Sequence, residues 1–232
     1  PVWLDGGKAG FLLGSDEQGR DILSAIIYGS ASSIMIGLVG MICSCAIGTT
    51  LGLLEGYFGG KVDAVIMRIA DVQLSFPSML IALFIMSVFG RGVGKLLIAL
   101  TMVGWVTYAR TVRGETLSVK KMEYVEAARA IGSNSFHTVF SHILPNSLAP
   151  IIVQATLRVG ASIISASSLS FLGIGLPIEV VSWGSMLSLS EKALLTDAWW
   201  IIVIPGVFLV ETLLCITELA NAMRRSTRER ML

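Results

Sequence analysis

The chain has 232 residues, 54% hydrophobic and only 14% charged, with 17 Lys and Arg against 16 Asp and Glu and a mean hydropathy of +0.78. A soluble domain carries about 25% charged residues, so this chain has too little polar surface to cover itself in water, and lipid must be its solvent over much of its length. A net charge of +1 gives no ground for a nucleic-acid partner, and the distribution of charge matters more than its sum.

In chain order, the opening residues PVWLDGGKAGF form neither a signal peptide nor a span, and Pro1 is not an initiator, so the expectation is a further beginning upstream. A span needs about 20 mostly apolar residues to cross about 30 Å of hydrocarbon. The first run that qualifies is 34–54, where Gly37, Gly40, Ser44, Gly48 and Gly52 recur every three or four positions. Such a stripe lets a second helix approach closely. A polar connector, EGYFGGKVDAVIMRIAD, leads to a second apolar run at 74–89. The turn GRGVG at 90–94 leads to a third at 96–108, extended through its neighbours. Residues 109–146 are polar with a helical pattern. A fourth span is predicted at 148–172, then a loop with Pro177 and Trp183, then a fifth span at 199–219. The expected fold class is all-α, a polytopic transmembrane helical bundle forming one domain.

Cys43, Cys45 and Cys215 all lie in apolar stretches and read as small buried hydrophobes. There is no C-x-x-C, and His137 and His142 are the only histidines, so no metal site is expected. With alternating topology, the connector, residues 109–146 and the tail hold most of the Lys and Arg; the opposite side holds Lys8, Arg20, Arg91, Lys95 and Lys192. The richer side is the cytoplasmic one. That places 1–25 outside, 109–146 and the basic tail 220–232 inside, and Trp199 and Trp200 at the outer interface.

Within 109–146, Val119 to Ile131 reads as a helix rich in Ala, Glu and Arg, ending at Gly132, which tolerates positive φ. Ser133 and Asn134 can cap a second short helix reaching toward Pro145. Ala127 and Ala128 leave a low profile where a partner's backbone can come close; an ordinary amphipathic loop has the same composition. Arg158 and Glu211 stand inside spans, about 15 and 18 Å from the ends at which those spans begin. Charges at such depths face a bundle interior or cavity, which suggests that the two pair or share a polar pathway; snorkelling to an interface is the alternative. Ser162, Ser165, Ser167, Ser168 and Ser170 either line a path or pack helices. Asp16 or Asp21 can cap the first helix.

Glu126-Ala127-Ala128-x3-Gly132, followed by Leu144-Pro145, resembles the EAA loop of ABC-type import permeases, with His142 where that family usually has Ile. The resemblance implies a coupling helix that docks in a cleft of a cytoplasmic ATPase. Gly14-Ser-Asp16-x-x-Gly19-Arg20-Asp21 is similar to the GTDxxGRD segment of the dipeptide/oligopeptide/nickel permease family, with Ser15 for Thr. Gly56-Tyr-Phe-Gly-Gly60, Met67-Arg68, Ser75-Phe76-Pro77, Ser170-Phe171-Leu172-Gly173 and Trp183-Gly184 fall where that family has similar residues. The likeness runs to Pro205; beyond it, ANAMRRSTRER replaces the family's GDGLRDALDP-like ending.

What the resemblance implies is a six-span subunit of a type I ABC importer in the bacterial inner membrane. It would be paired with a similar permease, cytoplasmic ATPase subunits and an extracytoplasmic binding protein, and would work by alternating access. Di- or oligopeptides are the implied cargo, with glutathione and nickel or metal chelates as alternatives; with a peptide as cargo, the intramembrane charge of Arg158 suggests that it helps to hold the C-terminal carboxylate. Neither Gly94-Lys95 nor Gly60-Lys61 fits the G-x-x-x-x-G-K-[ST] phosphate loop. The chain is therefore expected to be no enzyme and to hold no cofactor, with ATP and Mg on the partner. An ion-coupled secondary transporter and a membrane scaffold are the rivals from other classes.

Overall fold

The computed structural model describes residues 1–4, 7–8, 10–177, 179–190 and 198–229, the last four as backbone only. Lys192 and Arg230, counted in the charge distribution, lie outside the described residues, as does the side chain of Arg228. Helix α1 (Ile22–Phe58) has 37 residues, about 55 Å at 1.5 Å per residue, and is much longer than its apolar stretch. Its start is set by Asp21, which accepts hydrogen bonds from the Ser24 backbone N–H at 2.9 Å and the Ser24 hydroxyl at 2.6 Å. Asp16 instead organises the preceding turn, accepting from the Gln18 and Arg20 backbone N–H groups and pairing with the Arg20 guanidinium at 2.7 Å.

At Gly59 the chain turns into α2 (Gly60–Leu74), and α2 meets α3 (Ser78–Phe89) at 90°. Pro77 lacks an N–H and disfavours helix at the residue before it, which explains the break at Ser75-Phe76-Pro77. With 12 residues, α3 reaches only about 18 Å. The expected span 74–89 is therefore a half-length helix joined to a bent partner. Helix α4 (Val93–Val119) takes in the expected 96–108 but continues eleven residues beyond it. Its buried positions Ala109, Val112, Thr116 and Val119 keep helical spacing, and its charges find partners on α2. Arg113 binds Asp63 through Nε at 2.5 Å and Nη2 at 2.8 Å, and Arg110 pairs with Asp71. Gln73 accepts from the Trp105 indole at 3.0 Å.

The predicted small-residue stripe is the seam between α1 and α4. A Cβ at Gly48 would lie 2.4 Å from the Trp105 carbonyl oxygen, and one at Gly52 would lie 2.6 Å from that of Ala109. Backbone meets backbone there. Packing of this kind replaces the hydrophobic driving force that lipid does not provide.

After α5 (Glu123–Ala130), α6 (Ser135–Thr138), a π turn (Val139–Ile143) and α7 (Leu144–Phe171) run as one continuous rod. A proline crowds the carbonyl four residues back, and the wider π turn falls where Pro145 needs that room. The short α8 (Trp183–Leu189) opens on a Ser182/Ser185 capping box. It buries Trp183 in a cluster with Ile22, Ile26 and Ile163, and α9 (Trp200–Glu229) closes the bundle. Length and composition together single out three spanning helices, α1, the rod ending in α7, and α9. The bent pair of α2 and α3 makes a possible fourth. Large apolar side chains such as Ile27 and Phe84 face outward, more than 60% exposed, as a lipid-facing surface requires.

Candidate functional site

Two places bring the predicted residues together. The first is α5. Sequence reading placed a helix over Val119–Ile131; the structure ends α4 at Val119, turns through residues 120–122 and starts anew at Glu123. The break arises because Val119 and Val125 are both buried in one cluster with Leu53, Tyr57, Val112 and Ile143. One straight helix would not turn both inward. Val125 is the only buried residue of α5. Glu126, Ala127, Arg129 and Gly132 are exposed, Ala128 is half-buried, and Ile131 is 88% exposed. The small-residue platform therefore faces away from its own bundle.

Its end is closed by backbone geometry. Gly132 has φ +85°, the Gly132 N–H donates to the Arg129 carbonyl, and the Ser133 N–H donates to the Ala128 carbonyl, both at 3.0 Å. This is a Schellman motif, with glycine at its left-handed position. Asn134, rather than Ser133, caps the next helix, accepting from the Phe136 N–H at 3.3 Å. Two cations, Lys120 at the end of α4 and Arg129 in the last turn of α5, converge on Tyr57 in the last turn of α1, 5.5 Å and 5.2 Å from its ring centre. His142 stacks edge-on against Tyr124 at 6.3 Å. Leu144 packs on the same cluster as Val125, while Pro145 is exposed at the start of α7.

The second place is a cleft of about 90 Å³ between α1, α3, α4 and α7, lined by Arg158, Ser165, Ser162 and Tyr108 among apolar neighbours. Arg158 Nη2 donates to the Thr107 hydroxyl at 2.5 Å. The expected pairing of Arg158 with Glu211 does not occur. Glu211 is exposed and opens onto a different, apolar groove between α1, α7 and α9. The rotation of α7 turns Arg158 toward α4 instead, where it meets Thr107. The serine run divides. Ser162 and Ser165 line the cleft, whereas Ser167 and Ser170 sit at the packing of α7 on α8, where a Cβ on Gly184 would lie 2.4 Å from the Ser167 carbonyl oxygen.

Sequence reasoning missed Glu55, Tyr57 and Tyr108. Glu55 is fully buried and neither carboxylate oxygen has a partner; the Tyr108 hydroxyl is buried and unpartnered as well. A charge directly after an apolar span was the one available signal, and at Glu55 it reads equally well as the end of that span.

An all-α bundle with paired half-helices and an exposed short helix ahead of a long rod defines a polytopic membrane permease with the type I ABC importer fold. It is similar to a chain of the MetNI methionine ABC transporter in inward-facing conformations, with a TM-score of 0.72 over 88% of this chain and 97% of that one, at 17% identity. Residues 48–228 match the family described as "Binding-protein-dependent transport system inner membrane component", and the chain belongs to that family. It is 38% identical over 224 residues to the di/tripeptide transport system permease protein DppC of Pseudomonas aeruginosa (strain UCBPP-PA14), covering 97% of this chain and 74% of that protein. Similarity to the glutathione transport system permease protein GsiD of Pectobacterium atrosepticum is 38% over 220 residues, covering 95% and 73%.

Proposed function

We propose that this chain is one permease subunit of an ATP-driven importer of di- or oligopeptides. It works beside a second, similar permease, with cytoplasmic ATPase subunits that bind ATP and Mg and an external binding protein that delivers cargo. Supporting the reading most directly is the exposed platform Glu126–Gly132, in a chain of this family and with peptide permeases among its relatives. A surface of Glu126, Ala127, Ala128 and Gly132 gives a partner's cleft close backbone approach. Leu144 and Pro145 join that surface to the rod that continues into the membrane. Movement of the ATPase on nucleotide binding then tilts α7 against α1 and α4, and the cleft at Arg158 and Ser165 changes which side it faces. The proposal does not extend to Glu211, which opens onto a separate groove. Residues 1–25 belong to the outer face, where Asp16 and Asp21 order the turn that leads into α1. Glutathione, itself a tripeptide, is the alternative cargo that a relative's name favours.

The test is uptake in proteoliposomes containing the complete importer. Peptide uptake should require ATP and the binding protein and be indifferent to a proton gradient, and Gly132→Val should abolish it without disturbing assembly. No neighbouring atom of this chain lies within 4 Å of a Cβ at Gly132, so the loss would come from the backbone conformation at φ +85° or from the docked partner, not from a clash within the subunit. Uptake driven by a proton gradient alone would refute the proposal.

A further inference from the structure

We propose that the cleft at Arg158 is a carboxylate-binding subsite, with the Tyr108 hydroxyl and nearby serines as its other contacts, and that it receives the C-terminal carboxylate of the cargo. The inference rests on the peptide-importer reading.

Three observations converge. Arg158 is half-buried within a spanning helix, and its one hydrogen bond among the described residues goes to the neutral hydroxyl of Thr107. The remaining four of its five N–H groups are free. The guanidiniums of Arg20, Arg110 and Arg113 have carboxylate partners; among the described residues Arg158 has none. An uncompensated cation in apolar surroundings is costly, and an anion arriving in the cleft would remove that cost.

Tyr108 is 1% exposed and lines the same cleft, and its buried hydroxyl has no hydrogen-bond partner among the described residues. Buried hydroxyls are rarely left so. Ser78 on α3 and Ser162 and Ser165 on α7 add three further hydroxyls. Every one of these groups can donate, and among the described residues no acid lines the cleft.

Size narrows the ligand. A volume of about 90 Å³ is roughly that of three waters. It admits a carboxylate and its α-carbon, with the rest of the peptide extending outward. The planar guanidinium fork matches a carboxylate's two oxygens. The walls come from α1, α3, α4 and α7, and α7 is continuous with the rod that starts at Ser135. A tilt of that rod would move Arg158 relative to Tyr108 and release the bound group.

The experiment is saturation-transfer NMR on the complete permease–ATPase complex in nanodiscs without the binding protein, so that the binding protein's own preference for free carboxylates does not enter. Probes are alanyl-alanine, alanyl-alaninamide and acetate. The free acid should bind at least tenfold more tightly than the amide, the scale of losing a charge-assisted contact. Arg158→Gln should remove that difference. Tyr108→Phe should weaken acid binding severalfold while leaving thermal stability equal or higher, since it deletes an unsatisfied buried group. Equal binding of acid and amide to the wild type would overturn the subsite. So would undiminished acid preference in Arg158→Gln; if that variant does not assemble, the same result in Tyr108→Phe decides. Acetate binding that is lost in Arg158→Gln, in a complex that imports no peptide, would uphold the subsite and refute the peptide-importer reading. Peptide import with unaltered acid preference in Arg158→Gln would do the reverse.

Discussion

Gly52→Ala offers the sharpest check on the seam that holds the fold together. A Cβ there would stand 2.6 Å from the Ala109 carbonyl oxygen and 2.7 Å from the Val112 Cβ, where ordinary contact begins at 3.4 Å. The helices would have to part by about 0.8 Å, and neither atom is the movable end of a side chain. Overpacking of this kind costs about 1–3 kcal/mol, while alanine's better helix propensity returns about 1 kcal/mol. The net expectation is a loss of about 0–2 kcal/mol from one methyl group, about 1–3 kcal/mol below Gly114→Ala. Gly114→Ala is the control, on the exposed side of α4 with nothing within 4 Å of its new Cβ; there only the propensity gain of about 1 kcal/mol applies. SDS-titrated unfolding of the purified chain in detergent, followed by tryptophan fluorescence with Trp105 at the seam, reads both. Gly52→Ala as stable as Gly114→Ala would refute the close-approach account.

Val125→Ala removes two buried methyl groups, about 1.5 kcal/mol at about 0.8 kcal/mol each, from the one anchor of α5. Hydrogen exchange should accelerate across Glu123–Ile131 and stay unchanged in α7. Glu55→Met replaces a buried, unpartnered carboxyl by an apolar side chain of similar size, and should raise stability by about 1–3 kcal/mol in the same SDS titration. Asp21→Ala removes the cap of α1 and should cost about 1 kcal/mol. Its hydrogen bonds from the Ser24 hydroxyl and backbone hold the Asp21 carboxyl below its ordinary pKa of 3.8. A lowered folded-state pKa adds stability above the unfolded value, and that stability is lost as pH falls through the folded one. The difference in melting temperature between variant and wild type should therefore be full at neutral pH and close up in strong acid.

Legibility in the sequence followed the range of the interactions involved. The glycine stripe of α1 and the Gly132 cap were readable because each depends on a local rule, three-to-four spacing in one case and left-handed backbone in the other. Where α4 ends was not. Hydropathy drops at Arg110 and Arg113, yet the helix continues because Asp71 and Asp63 on α2 neutralise them, a pairing that spans 39 and 50 residues of sequence. Arg158 was correctly singled out as a charge in a span, but its neighbour is set by the rotation of α7. Thr107 carries no pattern that points to it. The orphaned oxygens of Glu55 and Tyr108 arise only once α1 and α4 are pressed together. The expected span at 74–89 is broken rather than straight for a local reason that was in view: Pro77 stands inside it.

One unbroken helix joins the two polar ends of this molecule. The first turn of α1 is fastened by the Asp21 knot, and its last turn carries Tyr57, against which Arg129 of α5 rests. At about 55 Å such a strut overshoots the oily slab of about 30 Å at any tilt up to about 55°, so over that range it cannot lie wholly within the hydrocarbon. Any load placed on one tip is felt at the other without crossing a loop. A cargo-carrying partner on one side and a nucleotide-driven one on the other would thus press on opposite ends of the same beam.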